Sequence, residues 1–242
     1  MISVYLGRGG YKEKEIEMKK IGMLVAVEMD AVLRRYGTAK RVENRHGFEM
    51  HLYDMGEYEV YVLRSGAGEI AAAAAAELLI DRYEVELIVN FGVVGGLTAE
   101  MGQTKTCVVE RVVHYDFDTT EYDHCLPGQY MGYADAYLHP APELIDRAVA
   151  LFPELKRVTC ASGDKFVAGE AAKSALHERW DADICEMEAA AVVLTCDRAQ
   201  IPCLLIKTVS DGLTQGGEDF GTALQHTSQL CLEVADRIIR EL

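Results

Sequence analysis

Three short, unbroken apolar runs constrain this chain more than any other feature: Ile21-Gly22-Met23-Leu24-Val25-Ala26-Val27, Leu87-Ile88-Val89-Asn90-Phe91 and Pro202-Cys203-Leu204-Leu205-Ile206-Lys207-Thr208-Val209. Runs this continuous do not alternate as half-exposed strands do, so they suit strands covered on both faces. Between them the pattern is helical at 28–36, 67–82, 143–152, 186–198 and 219–241, with an Ala-rich helix at 67–82. Val108 to His114 and Arg157 to Ser162 read as two further strands, separated by a long polar stretch to about Pro140.

One departure from the alternation is local. His51-Leu52-Tyr53 and Glu59-Val60-Tyr61-Val62-Leu63 have a period of two and flank Gly56, which predicts a hairpin over 48–63. Strand and helix otherwise alternate to the end, the pattern of a three-layer α/β domain: a central, mixed but mostly parallel twisted sheet with helices on both faces. In such folds ligands sit beyond the carboxyl ends of the strands. The loops after Val27, Leu63, Phe91, His114, Ser162 and Val209 are therefore the ones to inspect.

At 242 residues the chain suits one large domain, here 21–242. Residues 1–20 differ: Gly7-Arg8-Gly9-Gly10 and Lys12-Glu13-Lys14-Glu15 have turn and charge character without an apolar stripe, and they read as a flexible extension. The formal charge of −15 repels phosphate backbones and anionic lipid, which argues against nucleic-acid and membrane-surface partners. No apolar stretch is long enough to span a bilayer; the run around Ile70 is interrupted by Glu77. Seven cysteines at irregular spacing read as reduced, mostly buried thiols in a cytoplasmic protein, and the dispersed histidines form no metal-binding pattern with them.

Four segments carry candidate chemistry. Gly66-Ala67-Gly68-Glu69-Ile70-Ala71 matches a dinucleotide fingerprint, but the strand that follows ends at Asn90-Phe91-Gly92 rather than at the acidic residue a ribose would need. The same small residues also permit close helix–strand packing. Val93-Val94-Gly95-Gly96 follows a buried strand and either frees the backbone for a ligand or makes a tight turn; no Gly-Lys-Ser/Thr follows, so it is not a P-loop. In Cys185-Glu186-Met187-Glu188 the two acids lie at a helix start, where the helix dipole favours them. Two apart, they point in different directions, which leaves one free to grip a diol. Thr208-Val209-Ser210-Asp211-Gly212 places an aspartate at the exit of the most apolar strand, as a catalytic group or as the cap of an Asx-turn.

Together, in this order and spacing, these segments resemble the nucleoside phosphorylase/nucleosidase superfamily, and within it the methylthioadenosine/S-adenosylhomocysteine nucleosidases. The resemblance runs from Ile21 to about Leu224 and includes Ala26-Val27-Glu28-Met29-Asp30, Ser65-Gly66-Ala67-Gly68, Asn90-Phe91-Gly92-Val93, Ser162-Gly163-Asp164-Lys165-Phe166-Val167, Glu186-Met187-Glu188 and Ser210-Asp211. It implies hydrolysis of the N-glycosidic bond of an adenine-type, 5′-modified purine nucleoside, without metal or organic cofactor, by a cytoplasmic homodimer serving methionine salvage.

By the same resemblance, Asp211 is the general acid at purine N7, with Ser210 beside it. Glu188 binds the ribose hydroxyls, with Glu186 and Met187 flanking it. Phe166 stacks on the base and the Val167 backbone binds its edge, while Gly95 belongs to the Gly-rich turn. Tyr122, Pro127 and Phe220 fall where apolar contacts to the 5′ substituent come, some from a neighbouring subunit. Where the family holds its attacking water with a glutamate, an arginine and a serine, this chain has Asp30, Lys207 and Val93. Asp30 is thus the expected water-activating base. Lysine keeps the charge but loses the fork of donors, and valine offers no hydrogen bond. A purine nucleoside phosphorylase and a nucleoside-binding relative without catalysis are the alternatives; a dinucleotide-dependent oxidoreductase is a further one.

Overall fold

The computed structural model describes the backbone of residues 2–4, 12–14, 20–214 and 217–242, and the side chains of 20–214 and 224–242. In the extension, β1 (Ile2–Val4) and β2 (Lys12–Lys14) pair antiparallel as a small sheet of their own, separate from the central one.

The central sheet begins with β3 (Lys20–Val25) and continues through β4 (Arg41–Arg45), β5 (Phe48–Asp54), β6 (Glu59–Arg64), β7 (Leu87–Gly96), β8 (Thr106–His114), β9 (Tyr137–Leu138), β10 (Lys156–Ser162), β11 (Ile184–Glu186) and β12 (Cys203–Asp211). Its spatial order is β11-β10-β8-β12-β7-β3-β6-β5-β4, with β9 on β8. The expected hairpin is β5–β6, which β4 extends antiparallel into a meander. The three apolar runs are β3, β7 and β12, side by side and buried, with Phe91 and Leu204 among their fully enclosed side chains.

One expectation needs correcting. The sheet is not mostly parallel. β3, β6, β7 and β12 pair parallel among themselves, and so do β8, β10 and β11, but β12 meets β8 antiparallel and β11 meets β7 antiparallel. The β11–β7 ladder, Ile184 on Gly96 and Cys185 on Gly95, closes five strands into a barrel-like ring. Local patterning carries no signal for such a closure, because it depends on strand twist accumulated around the ring.

Helices cover both faces. On one face lie α1 (Met29–Tyr36), α4 (Pro142–Leu151) and α7 (Gly217–Arg240), whose apolar side chains join Val89, Phe91 and Ile206 in one core. On the other, α2 (Glu69–Glu77) and α6 (Ala189–Ala199) pack with Leu24, Ile88 and Leu205. The buried residues Ala72, Ala75, Ala76, Ala189 and Ala190 give this pair small facing surfaces, which suits close helix approach. α2 runs on into a wider π-helical turn at Leu78–Arg82. A short helix α3 (Thr120–Asp123) interrupts the polar stretch, and α5 (Glu170–Trp180) follows β10; neither was expected, and the helix expected at 186 starts only at Ala189 because Ile184–Glu186 is strand. Among the described residues no helix is long and apolar enough to cross a membrane.

Candidate active site

A cavity of about 190 Å³ opens among the strand ends. It is lined by Ala26 to Glu28 beyond β3, Ala67 beyond β6, Val93 to Gly95 near the end of β7, Lys165 to Val167 beyond β10, Cys185 to Glu188 where β11 leads into α6, and Asp211 at the end of β12. β7 continues as strand through the glycines expected to form a turn. Five of the six loops singled out from the sequence thus contribute; the one after His114 does not line the cavity.

Asp211 owes its aim to a bulge. Val209 pairs with Val94 and Asp211 with Gly95, so Ser210 is the extra residue that resets the ladder and turns the aspartate toward the cavity. Ser210 Oγ lies 2.9 Å from Asp211 Oδ1 and 3.2 Å from the Val94 carbonyl oxygen. On the other side, the Lys173 ammonium donates to Asp211 Oδ2 at 2.7 Å. Asp211 is only 2 % exposed.

Glu188 is the residue before α6, its side chain turned away from the helix's own N–H groups, and it accepts the Gly68 N–H on Oε1 at 2.9 Å. Gly68 has φ +106°, a conformation in which side chains are strained, and that geometry presents its N–H to Glu188. Burial, and then the nearby Glu186, push the Glu188 carboxyl up to about 8. Among the described residues its Oε2 has no protein partner.

Glu186 is engaged differently. Its carboxylate accepts from Ser162, from the backbone N–H groups of Glu188 and Ala189, and from Lys207 Nζ at 3.0 Å. Burial opposes its anion, but Lys207 and these donors outweigh burial and hold its carboxyl below the usual range. Lys207 is held charged in turn by Glu186 and Glu188 despite its burial.

Behind this pair, Ser162 Oγ sits 2.5 Å from Glu69 Oε1 and 2.6 Å from Glu186 Oε1. One hydroxyl hydrogen serves only one of them, so a second proton must lie in the chain. Glu69 is the member of the pair that favours it, its carboxyl being raised to about 8 by burial first and by Glu186 second, while Glu186 is held low.

The expected base is displaced. Asp30 lies in the first turn of α1, exposed and outside the cavity, whereas Glu28, the residue before that helix, is buried and lines it. Glu28 Oε1 accepts the Val93 N–H at 3.0 Å, and Oε2 accepts the N–H groups of Ala26 and Val27 at 3.1 and 2.8 Å. Gly92 makes room for it, since a Cβ there would stand 2.9 Å from Glu28 Oε1. Two positions along a helix rotate a side chain by about 200°, so residues 28 and 30 face opposite ways.

Of the other expected residues, Met187, Phe166, Val167, Val93 and Gly95 line the cavity, with Phe166 half-exposed at its mouth. Lys207 does not line it, being drawn to Glu186; Ser210 stands behind Asp211. Tyr122 and Pro127 lie off this cavity, and the side chain of Phe220 lies outside the described residues. Glu28, Lys173 and Glu69 were missed. Glu28 had a signal in its place at the end of the first apolar run, and Lys173 and Glu69 had none beyond helical positions. Among the described residues no set of three or more His, Cys, Asp or Glu side chains converges as metal ligands would, and all seven cysteines are unpaired.

A closed sheet of this order, with acids at the ends of β11 and β12 opening on one cavity, defines the class: the chain belongs to the phosphorylase superfamily, whose family model matches residues 20–240. Within it, the chain is 32% identical over 229 residues to a 5′-methylthioadenosine/S-adenosylhomocysteine nucleosidase of Hydrogenovibrio crunogenus, covering 89% of this chain and 97% of that one. It is 26% identical to an aminodeoxyfutalosine nucleosidase of Campylobacter jejuni, over 80% of this chain and 86% of the relative. Among solved structures, the Helicobacter pylori 5′-methylthioadenosine/S-adenosylhomocysteine nucleosidase superposes with a TM-score of 0.86 at 24% identity, covering 93% of this chain and 99% of that one. The nucleosidase resemblance read from the sequence is borne out.

Proposed function

We propose that this protein hydrolyses the N-glycosidic bond of an adenine-type purine nucleoside carrying a 5′ substituent. The observation that carries the reading is the convergence of Asp211, Glu188 and Glu28 on one cavity beside Phe166 and Val167. The relatives of 32% and 26% identity are both nucleosidases.

In this reading the base stacks on Phe166 and meets the Val167 backbone, and Glu188 uses its unpartnered Oε2 for the ribose hydroxyls. Asp211 hands its proton to purine N7 as the C1′–N9 bond breaks, and water adds to C1′ while Glu28 accepts the water's proton. The products are free base and free sugar. The three backbone N–H groups on Glu28 hold the carboxylate still, and fixed acceptors are what such a step needs. Ser210 lets Asp211 cycle: its hydroxyl donates to Oδ1 of the carboxylate, or accepts from Oδ1–H and turns its own hydrogen to the Val94 carbonyl, with no heavy atom moving. Val93 contributes its backbone N–H rather than a hydroxyl, and Lys207 supports the site through Glu186.

Water is favoured over phosphate as the acceptor. Four acidic side chains line the cavity against one lysine, Lys165; in this reading Glu28 and Glu186 carry charge, and a phosphate dianion would meet those two anions at close range. A second copy of the chain belongs to the same reading: Tyr122, Leu126 and Met131 are exposed on the segment after β8, and in a homodimer they, with Pro127 and Phe220, would cover the 5′ group of a neighbouring site. Seven unpaired thiols suit a cytoplasmic setting.

The test is a panel of purine nucleosides incubated with and without phosphate and scored for free base, ribose and ribose-1-phosphate. Free base with free sugar, independent of phosphate, is the expected result. Ribose-1-phosphate would make the protein a phosphorylase, and tight binding without base release would make it a binding protein.

A further inference from the structure

α5 is docked by two buried residues, Lys173 and Trp180, and most of its other positions face solvent or its margin. A fully buried lysine is costly unless every donor is matched. Here all three are: Lys173 Nζ donates to Asp211 Oδ2 at 2.7 Å, to the Gly212 carbonyl at 2.7 Å and to the Asp211 carbonyl at 3.2 Å. One ammonium thus grips both the carboxyl group and the backbone at the end of β12. The segment leading into α5 is the cavity-lining Lys165-Phe166-Val167, so the same helix connects the base-stacking loop to the acid.

We infer that Lys173 is a positioning residue for the acid: its ammonium fixes Asp211 Oδ2 so that Oδ1, beside Ser210, is the oxygen that carries the transferable proton, and its charge sets how readily that proton leaves. This rests on the nucleosidase reading and adds to it a residue on a helix that touches no substrate. The ionisable groups facing the pair are Cys185 from β11, whose thiol burial pushes up to about 12 and keeps neutral, and the Glu28, Glu186, Glu188 and Lys165 side chains around the cavity. His177, one turn along α5, is turned to the Ala182 carbonyl. Lys173 is the only cation among the described residues bonded to Asp211.

The experiment compares the pH profiles of kcat/KM for wild type, Lys173→Met, Lys173→Gln and Lys173→Arg. The reaction needs Asp211 protonated, so activity falls on the alkaline side as that proton is lost. Removing the ammonium destabilises the anion, so in Lys173→Met and Lys173→Gln the alkaline limb moves about one to two pH units upward, while kcat at the plateau falls about tenfold to a hundredfold and KM changes little. Lys173→Arg, which keeps the charge, leaves the limb in place. Should Lys173→Met not fold, the glutamine and arginine pair decides, since glutamine still offers donors to the carbonyls. A limb that stays put without the charge, or moves equally in Lys173→Arg, overturns the inference. An Asp211→Asn variant that still releases base would instead sink the nucleosidase reading itself, so the two failures are separable.

Discussion

The Val93 N–H donates to the Glu28 carboxylate at 3.0 Å, joining the end of β7 to the start of α1 inside the cavity. That bond selects which of two nearby acids enters the site. It also makes Gly92 part of the site, because any larger residue there would press on the same oxygen. The first two expectations below follow from it.

Glu28→Gln should lower kcat by about a hundredfold to ten-thousandfold, the usual worth of a general base, with substrate binding kept. Asp30→Asn, exposed on α1, should leave both kcat and KM within about twofold. Steady-state kinetics on the two variants separate the acids; the reverse pattern would restore Asp30 as the base.

Gly92→Ala places a Cβ 2.9 Å from Glu28 Oε1, so the carboxylate must move. A misplacement of this kind can cost about a hundredfold in rate, and overpacking about 1–3 kcal/mol of stability. Kinetics and chemical denaturation of the same variant measure both. A rate loss far larger than the change in stability explains would show the effect is on Glu28 rather than on the fold.

Asp211→Asn should abolish base release while a nucleoside analogue still binds, as calorimetry can report. Asparagine keeps an acceptor for Lys173 but carries no transferable carboxyl proton. The expected loss is at least the hundredfold to ten-thousandfold typical of general acids, in rough terms.

Glu69 predicts a stability effect with a definite sign. Its carboxyl rises from 4.5 to about 8 on folding, so the native state holds a proton that the unfolded chain releases. The associated stability is complete at low pH and is lost as pH climbs from the ordinary carboxylate range toward about 8. Glu69→Gln mimics the protonated acid, with an amide to donate to Ser162 and an oxygen to accept the Ala191 N–H. It should match wild type near about pH 4, below the unfolded value, and exceed it increasingly as pH rises, with the full gap in urea unfolding at about pH 8.5. Equal stability at both pH values would mean that Glu69 holds no extra proton.

Legibility in the sequence divided along physical lines. The apolar runs of β3, β7 and β12 and the hairpin of β5 and β6 are local patterns, and each was readable where it falls. β4 was missed because Arg41-Val42-Glu43-Asn44-Arg45 is charged and mostly exposed, with little apolar face to betray an edge strand. α5 was missed because its one inward face is built on a lysine and a tryptophan rather than an apolar stripe. Of the site, Asp211 stood out by its place at a strand end and Glu188 by its place at a helix start, while Phe166 came only from the family resemblance.

Sequence alone determined the layered α/β class, the order of most elements and the place of Asp211 at the end of β12, since these follow from hydrophobic period and from residues adjacent in the chain. It put Glu186 and Glu188 at a helix start and gave no sign of β11. Only the tertiary structure decided that the sheet closes through β11 on β7, that Glu28 enters the cavity while Asp30 faces solvent, that Lys207 is drawn to Glu186, and that Lys173 reaches Asp211. Each of these depends on helix phase or on partners far apart in the chain, and on which buried charge finds which counter-charge once water is excluded.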